Sequence, residues 1–176
     1  MKLFVLIVVA IALAAPAFSK QGVQTETPST SAPGDDSKPL PSIKLQDLDG
    51  KAVAAEQFKG NVVVYDFWAT WCVPCIAEIP TLNRIQEKYA AKGLKVVGVA
   101  LASGDAGEVK PFVGRNKMKY TVLMGDDDQA YDLNVVAFPT TYLVTRDMKL
   151  FRRYIGAGPR KMAELEADIQ KLLATN

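Results

Sequence analysis

Trp71-Cys72-Val73-Pro74-Cys75 follows closely on a wholly apolar run, Val62-Val63-Val64-Tyr65, and this junction constrains the fold more than any other stretch. A β-branched run without a polar face needs cover on both sides, which places it as a central strand. The chain leaving that strand arrives at two cysteines three positions apart, the only two among 176 residues. At the start of a helix, the first thiol is expected to point outward with unpaired backbone N–H groups close to its sulfur, an arrangement that favours the thiolate. The second, one turn further in, can resolve a mixed disulfide formed by the first. The pair is therefore a candidate redox switch.

Two plainer readings compete with it. A C-x-x-C can be half of a zinc site, but four ligands need two more Cys or His, and the chain has no other Cys and no His. It can also be a passive staple, although so short a loop removes little chain entropy from the unfolded state. The missing histidine also removes Ser-His and Cys-His nucleophile pairs, so proton transfer falls to carboxylates, Lys, Tyr or Cys. Lys and Arg number 21 against 19 acids, interspersed along the chain, and a net charge of +2 gives no reason to invoke nucleic acid. No cofactor or resident metal is expected.

Along the chain, Lys2 precedes an apolar run from Leu3 to Ala15, and small residues follow to Ser19, the pattern of a secretory signal peptide. The run is short for a membrane span, although retention as an anchor stays open. Residues 20–41 turn to Gln, Thr, Ser, Gly, Asp and Pro, and are expected to form a flexible linker. A single domain is expected over 42–176. It opens with a hairpin turning at Asp49-Gly50. After the central strand and the cysteines, Ile79, Leu82, Ile85 and Tyr89 recur at helical spacing, with Gly93 as the stop and Pro80 inside the helix, where a lost hydrogen bond is expected to kink it. A strand over Leu94–Leu101, a helix capped by Asp105 and a strand over Tyr120–Met124 come next. Asp126-Asp127-Asp128 lacks calcium-loop spacing and reads as the cap of a helix over Ala130 to Leu133. A strand pair, Thr140–Val144 and Leu150–Ile155, precedes a helix opened by Gly158-Pro159, with Met162, Leu165, Ile169 and Leu172 on its apolar face. The order indicates an α/β fold, a central mixed sheet flanked by helices.

Asp66-Phe67-Trp68-Ala69-Thr70-Trp71-Cys72-Val73-Pro74-Cys75, Pro80, and Phe138-Pro139-Thr140 resemble the thioredoxin superfamily over about Pro39 to Asn176. The signal segment, the N-terminal hairpin and the 139 − 75 = 64 positions between Cys75 and Pro139 resemble its exported TlpA/ResA-like branch, with room for an extra strand and helix. The resemblance implies a thioredoxin-like fold and a thiol-disulfide oxidoreductase. It implies Cys72 as nucleophile, Cys75 as resolving thiol and Pro139 as a cis-proline facing the disulfide, with Trp71, Val73, Pro74 and Phe138 beside the client. Glu78 stands where ResA-like proteins carry an acid, and Asp66 matches the buried aspartate of ordinary thioredoxins; carrying both is a departure. Phe138 is large for the residue before this proline, and Met148 occupies a turn position where glycine is common.

From these residues the expected reaction is exchange in two steps, with Asp66 and Glu78 the nearest proton handlers for Cys75. Two acids raise the cost of a thiolate and so favour a reductant. A reductant in an exported, oxidising setting needs a membrane electron donor. Its expected clients are disulfide-bearing exported proteins, and the family extends these to apocytochromes in cytochrome c maturation. Action as a monomer at the periplasmic or outer face of the cytoplasmic membrane is expected. The competing class is a Cu(I) carrier using the same two thiols.

Overall fold

In the computed structural model, residues 39–175 are described; the expected leader and most of the expected linker lie outside them. The elements run β1 (Leu45–Gln46), β2 (Ala52–Val53), β3 (Val62–Trp68), α1 (Val73–Tyr89), β4 (Leu94–Ala100), α2 (Ala106–Arg115), β5 (Thr121–Gly125), β6 (Thr140–Val144), β7 (Leu150–Ile155) and α3 (Pro159–Ala174). Ordered pairing starts before residue 42: Leu40 N–H donates to the Met148 carbonyl at 3.1 Å, and Pro39 bridges to Lys149. Met148 itself adopts φ 63°, the left-handed conformation that a turn glycine takes without steric cost.

The strands form one sheet in the order β2-β1-β5-β4-β3-β6-β7. β3 is central, parallel to β4 and antiparallel to β6, and all seven of its residues are buried. Its alternate residues divide the core. Val62, Val64 and Trp68 face a layer built from α1, α2 and α3, through Ile79, Leu82, Val109, Phe112, Met162, Leu165 and Ile169. Val63, Tyr65 and Phe67 face a second layer with Ile43, Leu45, Ala55, Phe58 and Leu133.

The three α-helices thus share one face, while the other is covered by the N-terminal segment and by short 3-10 turns and loops. The topology explains why. The parallel steps β3 to β4 and β4 to β5 both advance the same way across the sheet, and right-handed crossovers then put α1 and α2 on the same side. α2 and β5 occupy the long interval between Cys75 and Pro139. α1 runs through Pro80 to Tyr89, and Gly93 at φ 88° ends the 3-10 turn that follows it; as expected, Asp105 caps α2 through the N–H groups of Gly107 and Glu108. Asp126 caps instead the short 3-10 turn Asp127–Gln129, and turns rather than the expected helix follow over 130–134.

Candidate active site

The site is built where β3 hands the chain to α1. Cys72 is the N-cap residue of α1, with an extended backbone, and its sulfur accepts the Cys75 N–H at 3.2 Å while its carbonyl accepts the Ile76 N–H at 3.1 Å. Pro74 lies in the first turn, where a missing N–H costs no helical hydrogen bond. Cys72 and Cys75 are joined in a disulfide with Cα atoms 5.3 Å apart.

Contrary to the expectation of an outward thiol, Cys72 is only 4% exposed, close to the 3% of Cys75. Accepting a helix N–H and bonding to Cys75 turns its sulfur back over the helix terminus, and its neighbours Trp71 and Val73 take the outward positions at 64% and 74% exposure. The disulfide is therefore reached past an apolar rim.

Trp71 is held rather than free. Its ring N–H donates to the Ala102 carbonyl at 2.7 Å, and its ring meets Phe138 edge-on with centroids 5.7 Å apart. Thr70 N–H donates to Ser103 Oγ at 3.0 Å, and the Ala102 N–H donates to Asp127 Oδ1 at 2.7 Å. The turn after β4 thus positions the residues before Cys72, a role that no local motif around Ala102 and Ser103 marks. The Phe138–Pro139 bond is cis, and β6 begins at Thr140 opposite Phe67, which brings Pro139 to the end of β3 nearest the cysteines.

Beneath the disulfide the two acids separate in behaviour. Asp66 alternates with Val64 and Trp68, so it faces the helical layer that contains Cys75. It is 2% exposed and accepts a hydrogen bond from Thr141 Oγ1 at 2.8 Å, its cross-strand neighbour on β6. Burial pushes the Asp66 carboxyl up to about 6; the positive charge of Lys161 and the Thr141 hydroxyl oppose the rise, and the Glu78 charge adds to it. Glu78 is 5% exposed, and both its oxygens are engaged across the α1–α3 seam: Oε1 accepts the Gly158 N–H at 3.0 Å and Oε2 accepts from Lys161 Nζ at 2.7 Å. Tyr120, just before β5, feels both acids, and its hydroxyl is pushed up by burial and by their charges. Gly98 pairs with Asp66 in the sheet, and a Cβ there would stand 3.0 Å from both Trp68 and Tyr120. The bare backbone at Gly98 leaves room for both rings.

A family model described as Redoxin matches residues 35–170. The chain belongs to the Redoxin family. Among its relatives, the thiol-disulfide oxidoreductase ResA of Bacillus thuringiensis subsp. konkukian (strain 97-27) is 31% identical over 138 residues, covering 77% of each chain. The thioredoxin-like protein YneN of Bacillus subtilis (strain 168) is 31% identical over 131 residues, covering 73% of this chain and 76% of its own. The crystal structure of a Chlorobium tepidum protein assigned as thiol:disulfide interchange protein DsbE superposes with a TM-score of 0.72 at 32% identity, over 79% of this chain and 98% of that one. This Redoxin chain is a thiol-disulfide oxidoreductase of thioredoxin-like fold.

Of the residues singled out in the sequence, the fold gathers Cys72, Cys75, Trp71, Val73, Pro74, Phe138 and Pro139 at one end of the sheet, with Asp66 and Glu78 below. Lys161 was not among them. The signal was present: Lys161 stands four and eight positions before Leu165 and Ile169, so it lies on the buried stripe of α3.

Proposed function

We propose that this protein reduces disulfides in exported proteins, with Cys72 as the attacking thiol and Cys75 as the resolving thiol. The observation that carries the reading is the Cys72–Cys75 disulfide at the N-terminus of α1, where the Cys75 N–H already points at the Cys72 sulfur. That donor and the positive end of the helix stabilise a thiolate at Cys72.

In the reduced protein the Cys72 thiolate attacks one sulfur of a client disulfide. A bond forms to Cys72, and the other client sulfur leaves as a thiolate that takes a proton from water. Cys75 then gives its proton to a buried carboxylate, Asp66 or Glu78, and its thiolate displaces the client from Cys72. The protein ends as the disulfide and the client as a dithiol, so the two electrons are accounted for. Trp71, Val73, Pro74, Phe138 and Pro139 form the rim on which an extended client segment lies, pairing with the backbone beside Pro139 as an added strand.

The proposed direction follows from Asp66. A buried carboxylate on the Cys75 side of the sheet opposes a second negative charge, destabilises the dithiolate-prone reduced form and makes it a better donor. A leader over 1–19 and a linker ending ahead of the pairing at Pro39 suit a domain held at, or released from, the outer face of the cytoplasmic membrane, recharged there by a membrane electron donor. Apocytochromes awaiting haem attachment are one proposed client class.

Reduction of insulin disulfides by wild type and by Cys72→Ser tests the chemistry, with activity expected only in the former. Tight Cu(I) binding without insulin reduction would favour a copper carrier instead. In glutathione buffers the potential is expected nearer about −270 mV than about −120 mV, the range from a reductant to a strong oxidant. Mixed disulfides trapped on Cys75→Ser identify the clients.

A further inference from the structure

A lysine on the buried stripe of α3 is unusual because an ammonium taken out of water needs a counter-charge. Lys161 is 5% exposed, and its counter-charge is Glu78 at 2.7 Å. The same carboxylate takes the Gly158 N–H at the start of α3, so its two oxygens are aimed at α3 by two separate donors. Asp66, buried to a similar degree on the same face, has a hydroxyl for its partner and, among the described residues, no ion pair of its own. The groups gathered around this layer come from several elements: Asp66 from β3, Glu78 and Cys75 from α1, Thr141 from β6, Lys161 from α3 and the Tyr120 hydroxyl ahead of β5.

Resting on the exchange reaction proposed above, we propose that Lys161 is a positioning residue: it ties Glu78 into an ion pair and so leaves Asp66 as the buried acid that accepts the Cys75 proton during resolution. A carboxylate committed to a buried ammonium cannot take a proton without stranding that ammonium. Asp66 pays no such penalty, since a protonated Asp66 leaves Lys161 and Glu78 as a balanced pair. In the resolving step one proton passes from Cys75 Sγ to Asp66, the Cys75–Cys72 bond forms, and the bond from Cys72 to the client sulfur breaks. The positive charge of Lys161 also opposes the rise that burial imposes on the Asp66 carboxyl, so it lowers the pH above which Asp66 is ready to accept.

The test is the pH profile of single-turnover oxidation of the reduced full chain by a synthetic disulfide peptide, followed by tryptophan fluorescence. Wild type is expected to show a limb with a midpoint near the Asp66 value of about 6. Lys161→Met is expected to move that limb up by about one to three pH units, the effect of losing a nearby opposite charge. Lys161→Arg, keeping the charge, should hold it in place, and Asp66→Asn should remove it. A limb unmoved in Lys161→Met overturns the proposal, as does a limb that survives Asp66→Asn. Should Lys161→Met fail to fold, the double variant Glu78→Gln with Lys161→Met leaves no uncompensated buried ion, and its limb is expected to stay near that of wild type. Carboxyl carbon-13 NMR of the reduced wild type needs no variant: the resonance that follows the limb must be that of Asp66, and assignment to Glu78 overturns the proposal. Normal exchange with an unmoved limb rejects the role of Lys161 alone, whereas exchange that persists in Cys72→Ser rejects the underlying reading.

Discussion

Asp66 and Glu78 are buried almost equally, at 2% and 5% exposure, yet one leans on a single hydroxyl and the other on a cation and a backbone N–H. Burial alone penalises a carboxylate in both places. What differs is the partner, and in the mechanism proposed above the partner decides which acid serves structure and which is left for chemistry. A carboxylate at the far end of the same α1–α3 seam extends the contrast: Glu166 accepts from Arg84, Lys88 and Tyr89, and these donors push its carboxyl down to about 2. Near the disulfide the seam is closed by one buried pair; at the rim it is closed by several half-exposed ones.

The largest effect is expected from breaking the buried pair. Glu78→Ala strands the Lys161 ammonium, and urea unfolding should show a loss of about 3–5 kcal/mol, with most of it recovered when Lys161→Met is added. A single variant no less stable than wild type would mean that the pair contributes little net stability.

Asp66→Asn should act in the opposite sense. A folded-state carboxyl raised to about 6 binds a proton more tightly than the unfolded chain does, so stability falls as pH rises from the ordinary carboxylate range through about 6, and the full penalty applies above it. The variant should therefore be more stable than wild type by about 1–3 kcal/mol at pH 7.5, and thermal melts should show the gain disappearing near pH 4. An equal gain at both pH values would assign the effect to packing.

Thr141→Val removes the hydroxyl that favours ionised Asp66, so the Asp66 carboxyl should titrate higher still, with a stability change of about 1 kcal/mol read by the same melts. The smallest effect belongs to the rim. Glu166→Gln should cost about 1 kcal/mol or less at neutral pH, and less again in high salt. The Glu166 contribution should be present above the ordinary carboxylate range and fade as pH falls through about 2. A salt-independent loss as large as that of Glu78→Ala would erase the distinction between the two ends of the seam.

Much of the architecture was legible locally. The β-branched run at Val62 marked the central strand, the spacing of Ile79, Leu82, Ile85 and Tyr89 marked α1, and Asp105 and Gly158-Pro159 marked the starts of α2 and α3. The shared face of the three helices was not, because it depends on the order of strands across the sheet rather than on any one segment. Nor was the covering of Cys72: outward exposure follows from a helix start taken alone, whereas the cap bond and the disulfide turn the sulfur inward. Lys161 was missed because amphipathic reading weighs apolar residues and treats a lysine beside them as solvated.

By itself the sequence determined which groups are available to the proposed exchange, two thiols and the acids near them, because no histidine and no third cysteine exist to offer another route. Strand, helix start and cysteine spacing are properties of adjacent residues, and adjacent residues are what a sequence displays. The proposed division of labour between Asp66 and Glu78 rests on tertiary structure alone. Their partners, Thr141 and Lys161, lie 75 and 83 positions away along the chain, and charge interactions in a core depend on distance through space, which only the packed sheet and helices set.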